Sequence, residues 1–208
     1  MAAEHARALA TELDGVPVAA GCLRGEPRVE DLAHRLPKPV AVLPLLMAEG
    51  YILDLLRTRL AGIDGLVLRR PPGVHPALAT LVAEAGEATA RARGWTPGET
   101  ALLLVGHGTP RHAASSASAE ALAARLAAAG SFGRVETAFL EQPPFLAERL
   151  ASLAALPVVA VGLFVDAGPH GRDDVEAAIA AAPANVAYTG PVGSLPAIRT
   201  ILHDLLRG

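Results

Sequence analysis

Thr100-Ala-Leu-Leu-Leu-Val-Gly-His-Gly108 runs five apolar residues without a break and then turns on two glycines around a histidine. A short, continuous apolar run bounded in this way reads as a strand buried on both faces, which belongs in a parallel sheet, with a loop at its carboxyl end. A helix is expected next. Ser115, Ser116 and Ser118 offer N-cap oxygens, Glu120 suits a first turn, Leu122 and Leu126 share a face, and Gly130 stops the run.

Working towards the C-terminus, the same alternation repeats. Val135-Glu-Thr-Ala-Phe-Leu140 reads as a second strand, Glu141-Gln-Pro-Pro144 as a turn, and Phe145 to Ala154 as an amphipathic helix. Pro157 to Val165 is a third strand, ending in Asp166-Ala-Gly-Pro-His170. A helix over Asp173 to Ala181, a short strand at Val186 to Tyr188, a loop from Thr189 to Ser194 and a last helix from Pro196 to Leu206 complete the pattern. Strand and helix alternate four times, which predicts an α/β fold whose parallel sheet is covered on both faces.

Working back towards the N-terminus finds the same order again, and a repeat has to be found before a fold is named. The helix Ala3 to Leu13 precedes an expected strand at Val16 to Leu23, and Pro27 to Leu36 resembles Pro143 to Leu153. Pro39 to Met47 matches the third strand, Leu53 to Leu60 the third helix, Gly65 to Leu68 the fourth strand and Pro76 to Glu84 the last helix. This first copy begins at a helix, so it lacks the initial strand and the Gly-His-Gly loop. Where the second copy has Glu141 it carries Arg24 or Gly25, and near the place of His170 it has Tyr51-Ile52. Glu87 to Glu99 reads as a helix end and linker, dividing the chain into residues 1–94 and 95–208.

Composition excludes several function classes. Of 208 residues, 51% are hydrophobic and only 3% aromatic, so the core is built from Ala, Leu and Val. A formal net charge of -3 without a Lys/Arg cluster argues against nucleic acid as a partner. No apolar run approaches the roughly 20 residues that span a bilayer, and the N-terminus has no signal-peptide pattern, so no membrane role is expected. The one cysteine, Cys22, rules out an internal disulfide and fits a reducing cytoplasm.

Three candidate ligands stand at three consecutive strand ends: His107, Glu141 and His170. Loops after parallel strands emerge on one edge of the sheet, where ligands bind. Two imidazoles and a carboxylate meeting there suit Co2+, Fe2+, Ni2+ or Zn2+ with open coordination positions. Gly106, Gly108, Gly168 and Gly171 flank the histidines and allow sharp turns or close approach by a flat ligand. Arg111, His112 and Arg172, together with the helix start at Ser115, could pair with substrate carboxylates. Ordinary turn chemistry and solvated charge explain each of these residues when taken singly. The chain has neither a phosphate-binding glycine motif nor a G-x-S-x-G elbow.

Leu102-Leu-Leu-Val-Gly-His-Gly-Thr109, Val135 to Glu141 and Val159-Ala-Val-Gly-Leu-Phe-Val-Asp-Ala-Gly-Pro-His-Gly171 resemble the CbiX/SirB sirohydrochlorin chelatases. The resemblance is clear over residues 100 to 206 and fainter over 1 to 86. It implies two similar flavodoxin-like, chelatase-like halves facing a cleft, the first lacking its initial strand. It also implies a lyase that inserts Co2+ or Fe2+ into sirohydrochlorin for cobalamin or sirohaem biosynthesis, with no cofactor beyond the substrate metal.

On that resemblance His107 and His170 bind metal and accept protons, and Glu141 is the acidic residue after the second strand. Gly106, Gly108, Thr109, Arg111, Ser115, Gly168 and Arg172 are the expected substrate contacts. The partners are then a sirohydrochlorin-like tetrapyrrole and a divalent metal, in a monomer or homodimer. Thr109-Pro110 departs from the serine usual in the family, and long members tend to carry the site in the first half. A metal or tetrapyrrole carrier without turnover is the alternative function. In either case the first half is expected to serve as a wall, through Leu45, Leu46, Met47 and Tyr51; plain core is the alternative, above all for the strand residues Leu45 and Leu46, so the expectation rests on the loop Met47 to Tyr51.

Overall fold

A computed structural model describes residues 2–110, 112, 114–166, 168, 173–182 and 185–208. Helix α1 spans Ala2–Glu12, α2 Val29–Arg35, α3 Tyr51–Leu60 and α4 Leu78–Ala92, with strands β1 at Val40–Val42 and β2 at Leu66–Leu68 between them. The second half runs β3 Ala101–Gly106, α5 Ala114–Ala129, β4 Arg134–Phe139, α6 Leu146–Ser152, β5 Pro157–Gly162, α7 Val175–Ala180, β6 Asn185–Pro191 and α8 Ile198–Arg207. All described pairings between strands are parallel. They build a four-stranded sheet in the order β4-β3-β5-β6 and a two-stranded sheet β1-β2.

The apolar run that opens the second half is the central strand, bonded to β4 on one side and β5 on the other. Its residues alternate between two cores, as a strand buried on both faces must. Leu102 and Leu104 join Phe139, Val159 and Val161 beneath α4, α5 and α8. Leu103 and Val105 join Ala138, Val158 and Ala160 beneath α6 and α7. α4 precedes Trp95 in sequence yet packs on β5 and β6, so Leu78, Leu81 and Val82 share one core with Val159 and Ile198.

The internal repeat is visible in backbone detail. Cys22 N–H donates to the Pro27 carbonyl at 2.9 Å and Phe139 N–H to the Pro144 carbonyl at 2.9 Å, each within an isolated parallel bridge, Cys22 to Arg28 and Phe139 to Phe145. The 3-10 turns Pro72–Val74 and Val192–Ser194 also correspond. Gly73 N–H donates to Leu46 and Gly193 N–H to Phe164, at 3.1 and 3.0 Å.

The first sheet is smaller than the sequence pattern predicts. Among the described residues Val16 to Leu23 pairs only at the Cys22–Arg28 bridge, and the strand expected over Pro39 to Met47 is confined to Val40–Val42. The cause is the missing first strand. Among the described strands of the second half β4 pairs only with β3, so the segment that matches it in the first half lacks that neighbour for its N–H and C=O groups, and Pro17 contributes no N–H at all. β1 and β2, the counterparts of β5 and β6, still have each other. The expected linker from Glu87 is helix as far as Ala92, closed by Gly94 at φ +73°.

Candidate functional site

β3 and β4 place the first two candidate ligands side by side. Gly106 is level with Phe139 in the register, so the chain leaves both strands at the same height. The His107 carbonyl accepts from Leu140 N–H at 3.1 Å and from Glu141 N–H at 2.9 Å. This brings His107 Nε2 to 3.7 Å from Glu141 Oε1, with both side chains about half exposed. Donors at about 2.0–2.2 Å from one first-row cation lie about 3–3.6 Å apart, so the pair nearly matches two positions around a single ion.

Packing leaves little room for a side chain at either glycine beside His107, and least at Gly108. Gly108 has φ +72°, and a Cβ there would fall 2.6 Å from Gln142 Cγ and 2.8 Å from Phe139 Cβ. A Cβ on Gly106 would meet the Phe139 ring at 3.2 Å. Thr109 N–H donates to Gln142 Oε1 at 2.6 Å, which ties the His107 loop to the turn carrying Glu141. Sequence reading missed Gln142, although its place beside Glu141 was a signal.

His170, Arg111, Arg172 and Gly171 lie outside the described residues, as does the side chain of Ser115. Among the described residues, no group of three His, Cys, Asp or Glu side chains could hold a metal ion. Gly168 N–H donates to Asp166 Oδ1 at 3.0 Å in a local turn after β5. α5 already begins at Ala114, so Ser115, Ser116 and Ser118 lie within its first turns and not ahead of them.

His112, expected as a substrate anchor, has Nε2 3.3 Å from Asp54 Oδ2 on α3 of the first half. Its Nδ1 is buried and has no hydrogen-bond partner among the described residues. Asp54 had no sequence signal, since its partner is 58 residues away. Of the expected wall residues, Leu45 and Met47 pack against the main core, whereas Tyr51 is 56% exposed.

The CbiX family model matches residues 101–208, which is just over half of the chain and contains β3 and everything after it. The chain belongs to the CbiX family. A solved CbiX structure, described as the terminal enzyme for biosynthesis of siroheme in denitrifying bacteria, is similar at a TM-score of 0.84 and 25% identity. That match covers 99% of this chain and 89% of the other.

SirB from Bacillus subtilis with Fe3+ matches at TM-score 0.74 and 18% identity over 99% of this chain and 88% of its own. SirB from Bacillus subtilis subspecies spizizenii, in complex with cobalt, matches at 0.65 and 17% over the same shares. At those identities the two SirB structures speak for the fold. No curated protein matches the sequence. The structural match to CbiX covers residues before Ala101 as well, beyond those the family model matches.

Proposed function

We propose that this chain inserts a divalent metal, Co2+ or Fe2+, into sirohydrochlorin, as a lyase of cobalamin or sirohaem biosynthesis. The observation that carries the reading is the approach of His107 to Glu141 at the carboxyl edge of β3 and β4, in a chain of the CbiX family. Insertion removes two pyrrole protons and exchanges the metal's water shell for four ring nitrogens. A neutral imidazole can deliver the metal or take a proton, and a carboxylate offsets the changing charge.

In this reading His107, Glu141 and His170 form the site, all within residues 95–208, and residues 1–94 form a degenerate half that closes the cleft. Gly106, Gly108, Thr109 and Gly168 let the macrocycle approach, and Arg111, Arg172 and the α5 start at Ser115 hold its carboxylates. The same donor set accepts Ni2+. Among the described residues no helix is long and apolar enough to cross a membrane. The setting proposed is a reducing cytoplasm, with the chain acting as a monomer or homodimer.

Anaerobic incubation with sirohydrochlorin and each metal in turn, followed by absorption spectra, tests this. Metallation above the uncatalysed rate supports it. Tight binding of both without metallation selects the carrier alternative, and no binding removes both readings.

A further inference from the structure

A cleft of about 340 Å³ separates the loops of the first half from one flank of α5. Neither His107 nor Glu141 lines it. On α5, Ala117, Ala121 and Arg125 stand four residues apart and so share one face, two small side chains leaving the space and a guanidinium closing its far end. Opposite them lie Glu49 and Arg70. Arg70 Nε is 3.6 Å from Glu49 Oε1, and the Arg70 side chain is 69% exposed.

The charges do not balance within the cleft. Two guanidinium groups face one carboxylate, in a chain whose formal net charge is -3. Arg125 is held by donating to the Pro76 carbonyl, which occupies only part of a five-donor fork. Glu49 is anchored through its backbone, where its N–H donates to Ser118 Oγ at 3.4 Å, so its side chain can swing away without moving the loop. An exposed ion pair of this kind contributes little and exchanges readily.

We infer that this cleft is a carboxylate-binding subsite that takes an acidic arm of the macrocycle between Arg70 and Arg125, with the Glu49 carboxylate standing in its place until substrate arrives. The assignment rests on the chelatase reading above, which supplies a polycarboxylate substrate. Geometry supports the connection, because α5 begins at Ala114 directly after the His107 loop and Ser118 lies about 6 Å further along the helix. The small apolar wall suits the edge of a flat ring, and the arginine fork suits a carboxylate.

Fluorescence-quenching titration of metal-free sirohydrochlorin into the full chain tests the inference, alongside calorimetry with Co2+ alone. Arg70→Ala is expected to weaken macrocycle binding about tenfold and Arg125→Lys by a smaller factor. Glu49→Gln is expected to tighten it severalfold, since it removes the competing charge. Co2+ affinity should be unchanged in all three.

The opposite signs for Arg70 and Glu49 are the discriminating result, since a purely structural ion pair would weaken binding whichever partner was removed. Wild-type binding with unchanged affinity in Arg70→Ala and Glu49→Gln overturns the subsite while leaving the chelatase reading intact. Citrate or inorganic phosphate binding that depends on Arg70, with macrocycle binding that does not, assigns the cleft to a free anion and overturns it too. A wild-type chain that does not bind sirohydrochlorin defeats the function reading itself, and the subsite with it.

Discussion

Gly193 and Val165 are packed backbone against backbone: a Cβ on Gly193 would fall 1.9 Å from the Val165 carbonyl oxygen. Gly73 stands in the same relation to Met47, at 2.0 Å. Neither contact can be relieved by turning a side chain, so the strand-end loop and the 3-10 turn would have to part. Gly193→Ala and Gly73→Ala should each cost more than about 4 kcal/mol, at the exceptional end for single substitutions. Gly15→Ala, where φ is +74° but nothing lies within 4 Å, should cost only about 1–2 kcal/mol. Denaturant unfolding of the three variants checks the order, and equal losses would refute the packing argument.

His107→Ala should lower metal insertion about a hundredfold or more, the scale of a lost acid–base group. The side chain is 47% exposed, so stability should change by no more than about 0.5 kcal/mol. Glu141→Gln keeps the shape and loses the charge, and a milder loss of about tenfold is expected. Insertion rates with parallel thermal melts decide it. A variant with wild-type turnover would remove its residue from the site.

Gly108→Ala combines a left-handed backbone with contacts to Phe139 Cβ and Gln142 Cγ. It should destabilise by about 2–4 kcal/mol and reduce insertion as the His107 loop shifts. Gln142→Ala tests the tie between the two loops without straining the Gly108 backbone, because it takes away the acceptor of the Thr109 N–H, and should cost about 1 kcal/mol. If Gly108→Ala melts like wild type, the loop is more compliant than its packing implies.

His5 on α1 is 8% exposed. Burial pushes its imidazole below the ordinary histidine value of 6.5, opposed by a hydrogen bond to the Gly193 backbone and by Glu4. A depressed base binds fewer protons folded than unfolded, so stability rises with pH in that interval. The contribution is full above about pH 6.5 and is lost as pH falls from there through the folded value. His5→Gln should therefore flatten the fall in melting temperature between pH 7.5 and 5. An unchanged slope would assign the pH dependence elsewhere.

One metal site per chain is expected. The paired Cys22–Arg28 and Phe139–Phe145 bridges put Arg24 where the second half has Glu141, and a guanidinium does not ligate cations. Calorimetric titration with Co2+ should find a stoichiometry near one, and two equivalent sites would contradict the asymmetry.

By itself the sequence determined the second half and the placing of His107 beside Glu141 at one sheet edge. An unbroken apolar run such as Ala101 to Val105 admits little besides a doubly covered parallel strand, and parallel strands deliver their following loops, with His107 and Glu141, to one edge. Those are local patterns joined by a general rule of topology. What only the tertiary structure decided involves partners far apart in sequence. Val16 to Leu23 has a strand-like pattern but, among the described residues, pairs only at the Cys22–Arg28 bridge, and α4 leaves the half it belongs to in sequence and covers β5 and β6. The meeting of Asp54 with His112, and of Glu49 and Arg70 with the Arg125 flank of α5, follows from that docking. Hydrogen bonds and ion pairs of this kind depend on where separate elements come to rest, and no periodicity along the chain records it.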